Sequence, residues 1–389
     1  MTIDRSLYDR TEKLDKLIGE AYSRRTFPGA VCVVGRRDEV FYKNAIGYSR
    51  YFDDDSPDFN PIPDKSEGII PVDFNVLWDM ASCSKIISTA MIALKFLEEE
   101  KITMRDTVGM YFDAPEDKRY ITIGQLMTHT SGLPAYFRLD EIKGGADMAV
   151  SKILSRPLAY KTGDQCVYSC MGFILLAKIL EYISGDGLDK LAERYVFKPL
   201  GLADTCYNPI EHGYSPDSIA PTEYDRESGK YICGIVHDEN ARSLGGISGN
   251  AGVFSNAPDM IRFASMLSNR GKGFLSPSTF EAALQNRTEG MMDGDMNRGW
   301  GFQLLGKDEF SAMGDLYSIG SYGHNGFTGP SIYVDNLTGI YTVFLCNRVH
   351  FTRESYRLFS FRRQLHNTVM ATFGDLKQFK EGNIQWQNI

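Results

Sequence analysis

No run of lysine or arginine occurs in the 389 residues, and the net charge is −8. This argues against nucleic acid or an anionic membrane surface as a partner. No stretch of about 18 apolar residues is present, so no membrane-spanning helix is expected. The first ten residues, Met1 to Arg10, are charged and lack the apolar core of a secretory leader. A soluble, cytoplasmic protein is expected. The seven cysteines are an odd number in a long chain, which speaks for free thiols in a reducing compartment rather than a disulfide framework. There is no His-Glu-x-x-His and no paired Cys-x-x-Cys, and the spacing of Cys166 and Cys170 does not suit zinc. A metal site built on His237, Asp238 and Glu239 is therefore disfavoured. Gly-x-Ser-x-Gly is also missing, which argues against an α/β-hydrolase.

What remains is a chain with 43% hydrophobic residues and 37 glycines, enough for a large core with many tight loops. Apolar periodicity predicts a helix over 4–25. Two β-rich runs follow, Ala30–Gly35 and Val40–Ile46, joined as a hairpin. Residues 49–70 and 207–235 are polar and loop-like. Ile123–Thr128 is a short apolar run before a turn, and helices are expected over Met148–Leu154, Met171–Ile183, Leu188–Val196 and Pro258–Ser268. Strand character returns at Gly301–Leu305, Ser331–Val334 and Ile340–Leu345, before a last helix over roughly Arg353–Phe373. Strands at both ends and helices between them predict an α+β fold. One antiparallel sheet is drawn from both termini, flanked by helices, and the middle is a mainly helical insertion. The expected division is a single unit, 1–389. Residues 1–75 and 296–389 form the sheet-containing lobe and 76–295 the helical one, with a cleft between them.

The chemistry centres on Trp78-Asp79-Met80-Ala81-Ser82-Cys83-Ser84-Lys85. Strong helix formers follow, and Asp79 is a candidate N-cap. Ser82 then lies in the first turn with Lys85 one turn on, on the same face. That geometry suits a serine nucleophile and a lysine base near a helix N-terminus that can hold an oxyanion. The pattern alone also describes a capped helix with a solvated lysine.

Three further stretches carry matching chemistry. Tyr168, in Val167-Tyr168-Ser169-Cys170, sits on a loop before a helix, where a phenol near an ammonium can relay protons. The plain alternative is a core tyrosine. Tyr322-Gly323-His324-Asn325-Gly326-Phe327 has glycines that let a substrate lie against a strand edge, with the Phe327 N–H as a second oxyanion donor beside that of Ser82. The alternative is a glycine-rich turn. The glycines of Leu244–Ser255 imply close backbone approach, mainly for packing and partly to line the cleft.

In this order, Ser-x-x-Lys, Tyr-Ser-x and His-x-Gly resemble the serine β-lactamase-like superfamily: class C β-lactamases, penicillin-binding proteins and related esterases. Leu126-Met127-Thr128-His129-Thr130-Ser131-Gly132-Leu133-Pro134, Val236–Ala241 and Leu345–His350 extend the likeness over nearly the whole chain. The resemblance implies Ser82 as nucleophile, Lys85 as its base partner and Tyr168 as the catalytic tyrosine of the family's Tyr-x-Asn motif, with the Ser82 proton passing to Lys85, to Tyr168 or to the pair. It implies His324, Asn325, Gly326, Phe327 and Cys170 as substrate-binding positions. It implies no metal and no organic cofactor. Cys170 stands where that family places an asparagine that holds the substrate amide. Asn325 replaces a threonine, His324 a lysine, and Asn250 a histidine. These departures favour a small ester or amide over a good β-lactam as substrate. The implied activity is that of a serine hydrolase, of esterase, D-amino-acid peptidase or weak β-lactamase type. A D-Ala-D-Ala carboxypeptidase-like protein and a non-catalytic acyl-binding sensor are the alternatives. For Lys85 to accept a proton, its pKa must fall from roughly 10.4 to near 7, and burial with a positive His324 is expected to lower it.

Overall fold

The computed structural model describes residues 5–50, 70–139, 146–291, 297–307 and 311–374. Most of the expected loop at 49–70 lies outside them, as do residues 292–296.

Helix α1 (Arg5–Ser23) leads into β1 (Gly29–Arg36) and β2 (Glu39–Arg50), which form the expected hairpin with Ala30 opposite Ile46. Five more strands of the same sheet come from the far end of the chain and one, β3 (Ile70–Pro71), from just after the hairpin. The five are β4 (Asn297–Arg298), β5 (Gln303–Leu304), β6 (Tyr322–Asn325), β7 (Ser331–Val334) and β8 (Ile340–Cys346). Among the described residues the sheet runs β3-β2-β1-β8-β7-β6-β5-β4, antiparallel throughout. β1 and β8 are at its centre, with Ala30 facing Cys346. Successive side chains of β1 point to opposite faces. Ala30, Cys32 and Val34 pack with Leu14 and Ile18 of α1 and with Leu358, Phe361, Leu365 and Val369 of the last helix, Arg357–Phe373. Val31 and Val33 pack into the larger core with the helical middle of the chain. The fold is thus α+β, a large antiparallel sheet flanked by helices. Among the described residues no helix is long and apolar enough to cross a membrane.

Three local expectations differ. The last helix begins at Arg357 rather than Arg353, because Arg353 leaves the helical path to bond Glu239 at 3.0 Å and Glu223 at 3.5 Å. The run Gly301–Leu305 supplies only Gln303 and Leu304 to the sheet. Gly301 turns there with φ +84°, where a Cβ would stand 2.5 Å from that of Ala90. Leu188–Val196 is an α turn (Leu188–Ala192) continued as a π turn (Glu193–Phe197).

Candidate active site

A short ribbon delivers the Ser82 segment to the sheet. Trp78 and Asp79 pair with Phe254 and Ser255, and the Met80 N–H donates to the Val253 carbonyl. The next turn is not the α-helix start that the sequence suggests. Ala81–Cys83 is a 3₁₀ turn and Lys85–Thr89 a π turn, before the α-helix proper at Ala90–Glu98. Asp79 does not cap that helix. Its buried carboxylate accepts from the N–H of Ala81 at 2.8 Å and from that of His237 at 2.6 Å. Ala81 is thereby held at φ +43°, a conformation that non-glycine residues seldom adopt.

Ser82 and Lys85 come together as the spacing requires. Lys85 is fully buried, and its Nζ donates to Ser82 Oγ at 3.0 Å, to the Asn250 carbonyl at 2.9 Å and to Cys170 Sγ at 3.7 Å. These are three acceptors for the three protons of an ammonium. The glycine-rich loop packs as expected but does not line the cavity at Ser82. At Gly249 a Cβ would stand 2.1 Å from the Phe173 carbonyl, so the loop presses onto helix Cys170–Ser184, and the next residue turns its carbonyl to Lys85.

Tyr168 stands over this pair, with its ring centre 4.9 Å from Lys85 Nζ. Burial pushes its phenol up, against a pull downward from Lys85 and Ser82. The hydroxyl itself is buried and faces Lys85 and Ser82. Cys170 is the first residue of the helix behind it, and burial raises its thiol too.

The electrostatics correct the expectation for Lys85. Burial pushes its pKa down, but the anionic forms of Cys170 and Tyr168 beside it, with Asp238, pull harder, and the net direction is up. His324 is not the positive neighbour that was expected. Burial, then the nearby Arg298 and Lys85, hold its imidazole well below the ordinary range, so it is neutral. Its Nδ1–H donates to the Asn325 carbonyl at 2.8 Å, which leaves Nε2 as a buried acceptor without a partner.

The strand edge closes the other side. Ser82, Tyr168, His324, Asn325, Gly326 and Phe327 all line one cavity of about 280 Å³. Gly326 permits this approach, since a Cβ there would meet the Met80 carbonyl at 2.7 Å. Thr328 Oγ1 donates to the Asp79 carbonyl at 2.8 Å and locks the edge to the Ser82 segment. Tyr333 bonds Asn325 Oδ1 at 2.8 Å, so that side chain is held along the sheet.

Several residues in or behind the cavity escaped the sequence reading. Arg362 is buried and its Nη2 donates to the carbonyls of Gly326, Gly329 and Pro330. Its signal was a charge in the apolar phase of the last helix. Arg348 holds the Phe327 carbonyl at 2.9 Å and lies 4.5 Å from the Phe327 ring. Arg298 lines the cavity 5.3 Å from the Tyr168 ring, and nothing in its neighbourhood in sequence marks it. Of all the expected site residues, none lies away from this cluster.

Comparison with known proteins bears on the family and the fold. Residues 14–366 match the protein-family model described as Beta-lactamase. A putative D-alanyl-D-alanine carboxypeptidase of Escherichia coli O157:H7 is 28% identical over 371 residues, covering 88% of this chain and 83% of the relative. An N-acetylmuramyl-L-alanine amidase of Bacillus subtilis (strain 168) is 30% identical over 369 residues, covering 88% and 81%. Among solved structures, EstCE1, a hydrolase with promiscuous acyltransferase activity, superposes with a TM-score of 0.71 at 22% identity, over 94% of this chain and 98% of that one. At that identity the likeness speaks for the fold alone. A family match spanning nearly the whole chain, on a sheet drawn from both of its ends, makes this protein a member of the beta-lactamase family of serine hydrolases and penicillin-binding proteins.

Proposed function

We propose that the protein is a serine hydrolase that forms an acyl-enzyme on Ser82 from a small ester or amide. The observation that carries this reading is the Lys85 Nζ–Ser82 Oγ contact of 3.0 Å beneath a buried Tyr168 hydroxyl that faces both groups. Ser82 Oγ attacks the carbonyl carbon of a substrate seated against β6, and its proton passes into the Lys85–Tyr168 pair. The carbonyl oxygen becomes an oxyanion beside the N–H groups of Ser82 and Phe327, whose loss would cost about 10²–10³ in rate. The pair then returns the proton to the leaving alcohol or amine. Water attacks the acyl-enzyme by the same route in reverse and frees Ser82.

With Lys85 held as an ammonium and Tyr168 as a phenol, the resting pair carries one proton too many to act as a base. The reactive form is the one that has lost it, with Tyr168 as phenolate stabilised by the ammonium at its ring. The departures at Cys170 and Asn325 support an ester or simple amide. A carboxylate-bearing peptide of D-alanyl type is the second reading. It is supported by the names of the sequence relatives and by a cavity lined by Arg298, Arg348 and Arg362, with no Asp or Glu among the described lining residues.

Intact mass after mixing with a penicillin and with p-nitrophenyl acetate, for wild type and Ser82→Ala, tests the proposal. An acyl adduct or turnover in wild type alone is the expected result. A lasting penicillin adduct would select the second reading. Equal hydrolysis by Ser82→Ala would sink the proposal.

A further inference from the structure

The Tyr168 hydroxyl meets only the groups it serves, Lys85 and Ser82, so its position is set from behind, through its backbone and the packing of its ring. Lys85, Arg298 and His324 also border the ring, but His129 takes part in both routes. The N–H of Val167, just before Tyr168, donates to the His129 carbonyl at 3.0 Å. The N–H of Ser169, just after it, donates to His129 Nδ1 at 3.1 Å. The two rings lie 4.6 Å apart, and the imidazole also packs on Phe173 at 5.2 Å. One residue thus grips the backbone on both sides of Tyr168 and also packs its ring.

His129 is built at some cost to do this. It is buried and takes φ +60°, a left-handed conformation that is sparsely used outside glycine. Its carbonyl also accepts from the Tyr160 hydroxyl at 3.0 Å, which fixes the peptide that holds Val167. Because Nδ1 accepts a hydrogen bond, the ring proton is on Nε2, and that atom is buried without a partner. A residue present only to fill space would be apolar and leave no orphan there. Burial, then Arg298, Lys85 and His324, keep the ring neutral, the only form that can accept from Ser169.

We propose that His129 is the positioning residue of Tyr168: it clamps the Val167 and Ser169 amides and stacks on the phenol, so that the hydroxyl stays over Ser82 and Lys85. This rests on the serine hydrolase reading above. His129 itself transfers no proton and touches no substrate.

The test is a double-mutant cycle on the full chain, with p-nitrophenyl acetate hydrolysis and thermal unfolding as readouts. His129→Leu keeps much of the volume and removes the acceptor. His129→Asn tolerates the left-handed backbone and keeps an acceptor near the position of Nδ1. If misplacing the phenol is the defect, His129→Leu lowers kcat by about 10²-fold with little change in KM. His129→Asn recovers most of that loss, and in a Tyr168→Phe background His129→Leu costs almost nothing more. Should the leucine variant not fold, His129→Gln, with its acceptor set one methylene off, takes its place. The proposal is overturned if the His129 loss is the same with and without the Tyr168 hydroxyl, or if His129→Asn fares no better than the leucine variant. A fully active Tyr168→Phe would instead overturn the reading on which the proposal rests.

Discussion

The two sides of the Ser82 cavity are built on different principles. The helical side presents side chains: Ser82, Lys85, Tyr168 and Cys170 crowd together, and Lys85 alone bonds three separate segments. The sheet side presents backbone. Its edge from His324 to Phe327 is shaped by what stands behind it: Arg362 on three carbonyls, Arg348 on a fourth, and Thr328 on the Asp79 carbonyl. Charge that moves during reaction belongs to the first side, and a fixed outline for the substrate to the second. Rate should therefore be lost on one side and affinity on the other.

The largest effect tests the helical side. Lys85→Met keeps the buried stem and removes the ammonium. We expect kcat to fall by roughly 10³-fold or more, with KM nearly unchanged, as general acid–base residues commonly show. A change confined to KM would break the division. The next test uses pH. Lys85 and Tyr168 are both pushed up, and the active form is the deprotonated pair, so kcat/KM rises with pH and keeps rising through the alkaline range. His324 is pushed down and does not titrate near neutrality. An activity limb centred on the ordinary histidine value of about 6.5 would show that a histidine controls the rate after all.

On the sheet side, Arg362→Leu strips a guanidinium from three carbonyls, of which those of Gly326 and Pro330 keep a backbone donor. We expect a loss of about 2–3 kcal/mol in urea unfolding at constant m, and a raised KM with a smaller change in kcat. The smallest effect is expected for His324→Gln, which removes a neutral acceptor and no charge. KM should rise by less than about tenfold, and the pH profile should keep its shape. A shifted profile would place His324 with the helical side.

The chemistry of the helical side was legible because its residues come as short patterns: Ser82 and Lys85 within one turn, Tyr168 just before a helix. Gly326 was legible for a similar reason, since close approach demands glycine. The sheet could be read from strands at both ends of the chain. The protonation of Lys85 could not be read. It depends on an Asn250 carbonyl, a Cys170 thiol and a Tyr168 phenol that meet only in the folded protein. The same holds for His324, whose charge state is set by burial and by Arg298 from another strand. The 3₁₀ and π turns around Ser82 were hidden because their residues are ordinary helix formers. It is Asp79, bonded to His237 far along the chain, that holds Ala81 out of the helix. Arg362 was within reach, as a charge on the buried stripe of the last helix.

The pairing of β1 with β8 has a consequence for biosynthesis. Ala30 meets Cys346 across roughly 300 residues, so one edge of β1, the edge opposite its hairpin partner, stays unpaired while nearly all of the chain is being made. The hairpin and the helices can form earlier, but the cavity wall at β6 has no template until β7 and β8 emerge. A nascent or shortened chain ending before Cys346 would expose the apolar edge of β1, whose Val31, Val33 and Val34 are otherwise buried. Such a chain would be prone to aggregate.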